Sequence, residues 1–447
     1  MTMKTSVKFI NHASVVVSDE NISVLSDPWF SGDAFHKGWN LLHETGDNDI
    51  KKLLQKITHI WISHEHPDHF SISFFQNYSE ILKNNSIKIL FQKTSDKRVF
   101  KFLTAKGLNV KELEFNKSLK LSDDFTVKCI KDGFYDSGLL IDSHGDKILN
   151  LNDCEVTTSS RAKEVFSLTG EVDVLLTQFS YAAWKGGTKN KRWRVNAAQE
   201  KINTIKLQTE TFRPKYLIPF ASFFYFSNKE NFYLNDSANR PEQLEDKLQK
   251  YLEKLTIMAP NDVLGGKIER LNNIKAINFW KNKYEKLSTL NQNQFSVTDL
   301  NILNDSFKTY CERIEENNNL FLVKIIRIFS PIRAFKPIIV KITDLNLNLK
   351  FDYVNKKFSE TSEQAMLSMK SESLNFLFKN SFGFDTLTVN GCFEEVQKNG
   401  FVRATKTLAI ENLNNLGIKI ELKTLFNISI IKLFLTRLYR VSRKLDT

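Results

Sequence analysis

Cysteine is scarce: Cys129, Cys154, Cys311 and Cys392 are the four in 447 residues. None stands in a Cys-x-x-Cys or Cys-x-His pair. That argues against a disulfide framework and against an iron–sulfur cluster held by this chain. Long apolar runs are missing as well. No stretch reaches the roughly 18 apolar residues that a membrane-spanning helix needs. The opening run from Met1 to Val17 is interrupted by Asn11 and His12, unlike a signal peptide. The expected location is a reducing cytoplasm. No internal repeat is visible. Histidine is rare too, with eight in the chain, so a local concentration of it carries information.

Hydrophobic residues make up 41% and charged residues 26%, the balance of a water-soluble globular protein. The length exceeds one ordinary core and suggests two or three domains. The formal net charge is +12, from 63 basic and 51 acidic side chains. Such an excess favours an anionic partner, such as a small phosphorylated or nucleotide-linked substrate. The lysines are scattered rather than clustered, as on a solubilising surface, so no nucleic-acid partner is expected.

Short β-branched runs open the chain, at Val7 to Ile10, Ser14 to Val17 and Ile22 to Leu25. Further strands are predicted at Ile57 to Ser63, Ile87 to Phe91, Phe125 to Ile130, Gly138 to Ile141, Lys147 to Asn150, Val172 to Thr177 and Tyr216 to Pro219. Helical periodicity falls between them, at Phe74 to Lys83, Ser95 to Lys106 and Asn196 to Thr211. Alternating elements of this kind indicate an α/β layered domain over residues 1–240. Residues 241–335 read as a helical connecting region, with helices at Pro241 to Leu255, Ile274 to Leu290 and Val297 to Glu316. Residues 336–447 read as a smaller α+β accessory domain, opened by an alternating strand pattern at Ile338 to Tyr353. Leu425 to Lys444 has the pattern of an amphipathic helix, expected to pack its apolar face on the protein.

The most informative stretch is Thr58 to Phe70. A strand runs into Ser63-His64-Glu65-His66-Pro67-Asp68-His69, which holds three histidines and an aspartate within six residues. Imidazole nitrogen with carboxylate oxygen suits zinc or iron. His64 and His66 alternate at a strand end, which aims both rings the same way. Asp68 and His69 turn back toward a second position. One or two divalent ions, zinc or iron, are the expected cofactor. Asp68, beside both positions, is the candidate catalytic proton carrier.

This motif is similar to the signature of the metallo-β-lactamase superfamily, over residues 1–240. The resemblance implies an αββα sandwich with metal at one edge. Asn11-His12-Ala13-Ser14, Ser26-Asp27-Pro28-Trp29-Phe30, Gly38-Trp39, Asp153-Cys154 and Pro219-Phe220-Ala221 further resemble CMP-N-acetylneuraminate hydroxylase-like proteins. By that resemblance Asp153 is a metal-bridging ligand. Asp27 lies near the metal pocket, in a ligand-supporting role, and His12 lines the pocket. His36 and Trp39 sit in a loop suited to holding substrate. Arg192 and Arg194, beside Lys185-Gly186-Gly187, read as a basic segment able to clamp a phosphate. The tail, through Thr343-Asp344-Leu345 and Phe384-Asp385-Thr386-Leu387, faintly resembles a sterol-carrier-type domain, implying an apolar groove or an oligomer contact such as a homodimer.

The chain departs from the superfamily pattern twice. Where a third histidine belongs, Lys131 to Gly138 has none, and Asp136 is the expected substitute, with Asp132 second. Where a last histidine belongs, Pro219 is followed by Phe220-Ala221-Ser222. Three functions stay open. One is a metal-dependent hydrolase that attacks an ester or phosphodiester of an anionic substrate. Another is a non-haem iron oxygenase acting on a nucleotide sugar, with electrons from a separate ferredoxin-type donor, since no Rieske-type cysteine–histidine pair is present. The third is a metal-depleted binding protein.

Overall fold

Alternation along the early strands builds the first two layers. In His59–Ile62, Ile60 and Ile62 turn to one side and Trp61 to the other. In Ser14–Ser18, Val16 joins the first side while Val15 and Val17 join the second. The period of two sorts each strand's side chains between two cores. One core lies under the helices Asp47–Leu54, Ile72–Asn84 and Arg98–Ala105, which bury Ile50, Leu54, Phe74, Phe75 and Leu103 against the sheet. The other is shared with a second sheet.

The computed structural model describes residues 3–265, 271–330 and 332–422. The first sheet has seven strands, in the spatial order Val263–Gly265, Ser6–Asn11, Ser14–Ser18, Ser23–Ser26, His59–Ile62, Lys88–Gln92 and Asn109–Leu113. The second has six, in the order Tyr216–Phe220, Val174–Gln178, Asp146–Asn150, Asp136–Ser143, Phe125–Asp132 and Ser118–Ser122. Helices Ser159–Thr169 and Lys191–Phe212 cover the outer face of the second sheet through Ala162, Val165, Ile202 and Ile205. The result is the expected four-layer αββα sandwich.

Ser23–Ser26, His59–Ile62 and Lys88–Gln92 run parallel, as do Asp146–Asn150, Val174–Gln178 and Tyr216–Phe220. Their carboxyl ends share one edge of the sandwich, where ligands of open α/β sheets gather.

The expected helical connector is split between two cores. The strand Val263–Gly265 pairs with Ser6–Lys8, and Leu244, Tyr251, Trp280 and Leu287 pack in the core between the two sheets. The long helix foreseen from Pro241 is broken into Pro241–Gln243, Leu244–Lys247 and Gln249–Tyr251. Helices Leu300–Asn317 and Leu320–Phe329 instead join the tail, where Leu303, Phe307 and Tyr310 meet Phe351 and Phe378.

The tail sheet has five strands, in the order Lys357–Glu360, Leu347–Asp352, Ile338–Ile342, Leu367–Met369 and Glu394–Glu395. The single strand expected from Ile338 to Tyr353 is two, because Asn346 takes a positive φ of 53° and folds them into a hairpin. The amphipathic segment expected at Leu425 to Lys444 lies outside the described residues.

The tail is closely joined to the sandwich. Trp184 packs on Phe393 and Phe401, His36 stacks on Phe376, and Lys37 pairs with Glu372 at 2.8 Å. A Cβ on Gly38 would stand 2.5 Å from Asn390 Cβ, so this close approach requires glycine.

Candidate metal centre

Each side chain of the cluster leaves a strand end at the shared edge. His12 follows Ser6–Asn11, Asp27 follows Ser23–Ser26, and Ser63 to His69 follow His59–Ile62. Asp136 opens Asp136–Ser143, and Asp153 follows Asp146–Asn150. Several turns there are strained. His12, Asp27, Asn152 and Ala221 hold positive φ values of 30°, 38°, 31° and 51°. Each such non-glycine residue costs about 1–3 kcal/mol and persists only where its surroundings fix it.

Three groups of ligand atoms result, each with its atoms within 4.8 Å of one another: His12, Asp68 and His69; His64, His69 and Asp153; His64, His66 and Asp136. His69 Nε2 lies 3.3 Å from Asp68 Oδ2 and 3.5 Å from Asp153 Oδ1. His12 Nε2 lies 3.4 Å from Asp68 Oδ2. His64 Nε2 lies 2.9 Å from His66 Nδ1 and 3.6 Å from Asp136 Oδ1.

A second ring of contacts fixes how the imidazoles point. Asp27, fully buried, accepts from Ser63 N–H at 2.7 Å, from Ser63 Oγ at 2.8 Å and from His69 Nδ1 at 2.9 Å. Ser63 spends its one proton on Asp27, so it accepts from His64 Nδ1 at 2.9 Å. The Nε2 atoms of His64 and His69 therefore face the cluster, as in carboxylate–histidine–metal arrangements. Gln178 donates to Asp153 at 3.0 Å, and Lys201 donates to Gln178. His66 is held from the tail: its Nε2 lies 3.5 Å from Asp385 Oδ2, on the helix Gly383–Asn390.

The protonation pattern is that of a place built for positive charge. Burial pushes the Asp136 carboxyl up to about 7, against the pull of His66. Burial opposes a proton on His66, yet Asp385, Asp136 and Asp68 together raise it to about 9. His69 is raised well above the usual imidazole range in the same way, burial being overcome by Asp68, Asp153 and Asp27. His64 is driven down by burial and by its histidine neighbours, so it is neutral.

Among the described residues, His69 Nε2, Asp68 Oδ1 and Asp136 Oδ1 are buried and find no hydrogen-bond partner. Orphaned polar atoms of this kind cost about 1–3 kcal/mol each. Three of them converging with imidazole nitrogens fit one or two divalent ions, zinc or iron.

The other residues singled out by sequence fall elsewhere. Asp132 is committed to Arg161 at 2.9 Å and takes no part in the cluster. His36 lines a cavity beside His66. Trp39 is buried under Phe224, with ring centroids 3.8 Å apart, and does not line that cavity. The basic segment is not the phosphate clamp expected from sequence. Arg194 is buried and bound to Asp236 at 2.8 and 2.9 Å, so its guanidinium is spent. Arg192 stands exposed in the first turn of the helix Lys191–Phe212, which replaces the expected flexible segment.

Sequence reasoning missed two things. His12 was placed as a pocket wall, yet it stands with Asp68 and His69. The turn after Phe220, where a last histidine is lacking, carries Ala221, whose N–H donates to the His12 carbonyl at 2.9 Å. Asp385 was missed altogether, since no local signal links the tail to His66.

Residues 6–193 match the family model described as a beta-lactamase superfamily domain. The chain is 27% identical over 263 residues to the cytidine monophosphate-N-acetylneuraminic acid hydroxylase of Danio rerio, covering 55% of this chain and 43% of that protein. It is 26% identical over 271 residues to the Mus musculus hydroxylase, covering 57% and 45%. The chain thus spans less than half the length of these relatives. Among solved structures it is similar to CmlA, a diiron beta-hydroxylase from Streptomyces venezuelae. That match has 14% identity and a TM-score of 0.43, covering 60% of this chain and 55% of that one. Over residues 6–193, then, this chain is similar to the beta-lactamase superfamily domain, on the αββα sandwich described above.

Proposed function

We propose that the chain is a metal-dependent oxygenase that hydroxylates a small organic substrate at a pair of non-haem iron positions. The observation that carries this is the ligand set. His64, His66 and Asp136 form a two-histidine, one-carboxylate triad, and His12, His69 and Asp68 form another. Two such triads with open positions are the ligand set that non-haem iron oxygenases use. The hydroxylase relatives point the same way over the part they share.

When bound, the ions would supply the redox chemistry that activates dioxygen. The chain's own groups do the rest. Asp27 and Ser63 fix the His69 and His64 tautomers. Asp385 holds His66. Asp153 bridges toward His69, steadied by Gln178. Asp68, between His12 and His69, is the candidate proton carrier through Oδ1, which has no partner among the described residues. Electrons come from a separate reductant, such as a ferredoxin-type protein. The relatives' name puts a nucleotide sugar forward as one substrate to be tested.

A second reading is a zinc hydrolase acting on an ester or phosphodiester. The superfamily domain itself favours it. The two separate in one experiment: elemental analysis of the purified chain, with oxygen uptake after chemical reduction. About two irons per chain and uptake of dioxygen are expected. A zinc-filled protein that leaves dioxygen untouched would overturn the oxygenase reading in favour of the hydrolase.

A further inference from the structure

Beside His66 lies a cavity of about 500 Å³ between the sandwich and the tail. Its walls are largely aromatic and apolar: Phe35, Phe70, Phe102 and Tyr135 from the sandwich, and Phe376 and Phe382 from the tail. Ile72 and Phe382 line it while remaining exposed, so the cavity opens to solvent there. His66 and Asp385, on its wall, connect it to the cluster.

The charges on this wall run opposite to the protein's. The chain carries +12 overall, yet among the described residues the cavity is lined by four acids, Asp33, Glu65, Asp96 and Asp385, against Arg98 and His66, the latter facing Asp385. Arg98 is already engaged, 2.6 Å from Asp96 and 3.9 Å from Glu65. Among the described residues Asp33 pairs with no cation; it accepts the Lys37 backbone N–H at 2.7 Å, while the Lys37 ammonium is paired with Glu372. A phosphate or carboxylate entering here would meet more acids than cations, and both cations, Arg98 and His66, already face carboxylates. An amine would meet acids and aromatic faces, both of which attract a cation.

We infer that this cavity is the substrate pocket and that it takes a molecule with a flat apolar body and a cationic amine head, not an anionic nucleotide sugar. The inference rests on the cluster being the reaction centre, and it names the substrate class of that centre.

The test is direct binding to the purified, metal-containing full chain by calorimetry. The probes are 4-phenylbutylamine, 4-phenylbutyrate, which has the same body and the opposite head, and cytidine monophosphate. The amine is expected to bind at least about tenfold tighter than either anion, the factor that one favourable partly screened charge contact supplies. Asp33→Asn should weaken the amine alone. Asp96→Asn, which strips Arg98 of its nearest partner, should shift the preference toward phenylbutyrate. Phe102→Ala should weaken both aromatic probes. Equal or tighter binding of either anion, no binding of the amine at millimolar concentration, or an unchanged preference in both aspartate variants would overturn the inference. None of these readouts depends on turnover. A zinc-filled, oxygen-inert protein that still prefers the amine would sink the oxygenase reading and leave this one standing.

Discussion

The two halves of the cluster are built differently. The inner half, His12, Asp68 and His69, is buried and comes wholly from the sandwich, with Asp27 gripping His69 from behind. The outer half, His64, His66 and Asp136, is partly exposed, and its His66 leans on Asp385 from the tail. One position is fixed by the fold of a single domain. The other depends on two domains staying docked, so the tail is part of the site rather than an appendage. His12 and Asp27, both with positive φ, serve the inner half, and Asp27 reaches His64 as well through Ser63.

The largest effect should come from the inner half. His12→Ala removes a ligand that nothing nearby replaces, and the purified variant should carry one ion per chain instead of two by elemental analysis. Full occupancy in that variant would mean that His12 only lines the pocket.

Next comes Asp385→Asn, which keeps the shape and removes the charge behind His66. Loss of such an outer partner typically weakens metal binding about 10–100-fold. The loss should fall on one ion only, as read in a chelator competition, and the apo variant's His66 should titrate lower by NMR. Equal weakening of both ions would erase the contrast between the halves.

The third effect is in pH. Filling the outer position displaces a proton from His66, held up to about 9, and below about 7 another from Asp136. Filling the inner position displaces one from His69. Affinity therefore falls as pH drops, and below pH 7 it falls by about two decades per unit outside against about one inside. Isothermal titrations at pH 6 and 7 measure both slopes.

Smallest for the metal is Arg194→Ala. The variant should lose about 2 kcal/mol of stability, because it leaves Asp236 and the Gly186 and Gly187 carbonyls without their donor. Metal content should not change, as denaturant unfolding alongside elemental analysis would show.

Much of the sandwich was legible because each strand carries its own alternation and most pairings involve chain neighbours. The cluster from His64 to His69 was legible because its donors are contiguous. Asp136 was reachable as a stand-in for an absent histidine. His12 was harder: its role depends on a turn with φ of 30° that brings a residue from the first strand beneath Asp68, and no spacing rule encodes that. Asp385 was out of reach, since only the docking of the tail, through contacts such as Gly38 on Asn390 and Trp184 on Phe393, delivers it to His66. Arg194 misled for a related reason. A basic residue beside glycines looks free in sequence, but here Asp236, far along the chain, takes it up.

Native mass spectrometry of the full chain during stepwise chelation tests the unequal pair most directly. The expected record is a plateau at one ion per chain, shifted to lower chelator concentration in Asp385→Asn. Loss of both ions in a single step, at the same chelator concentration in the native chain and the variant, would contradict it.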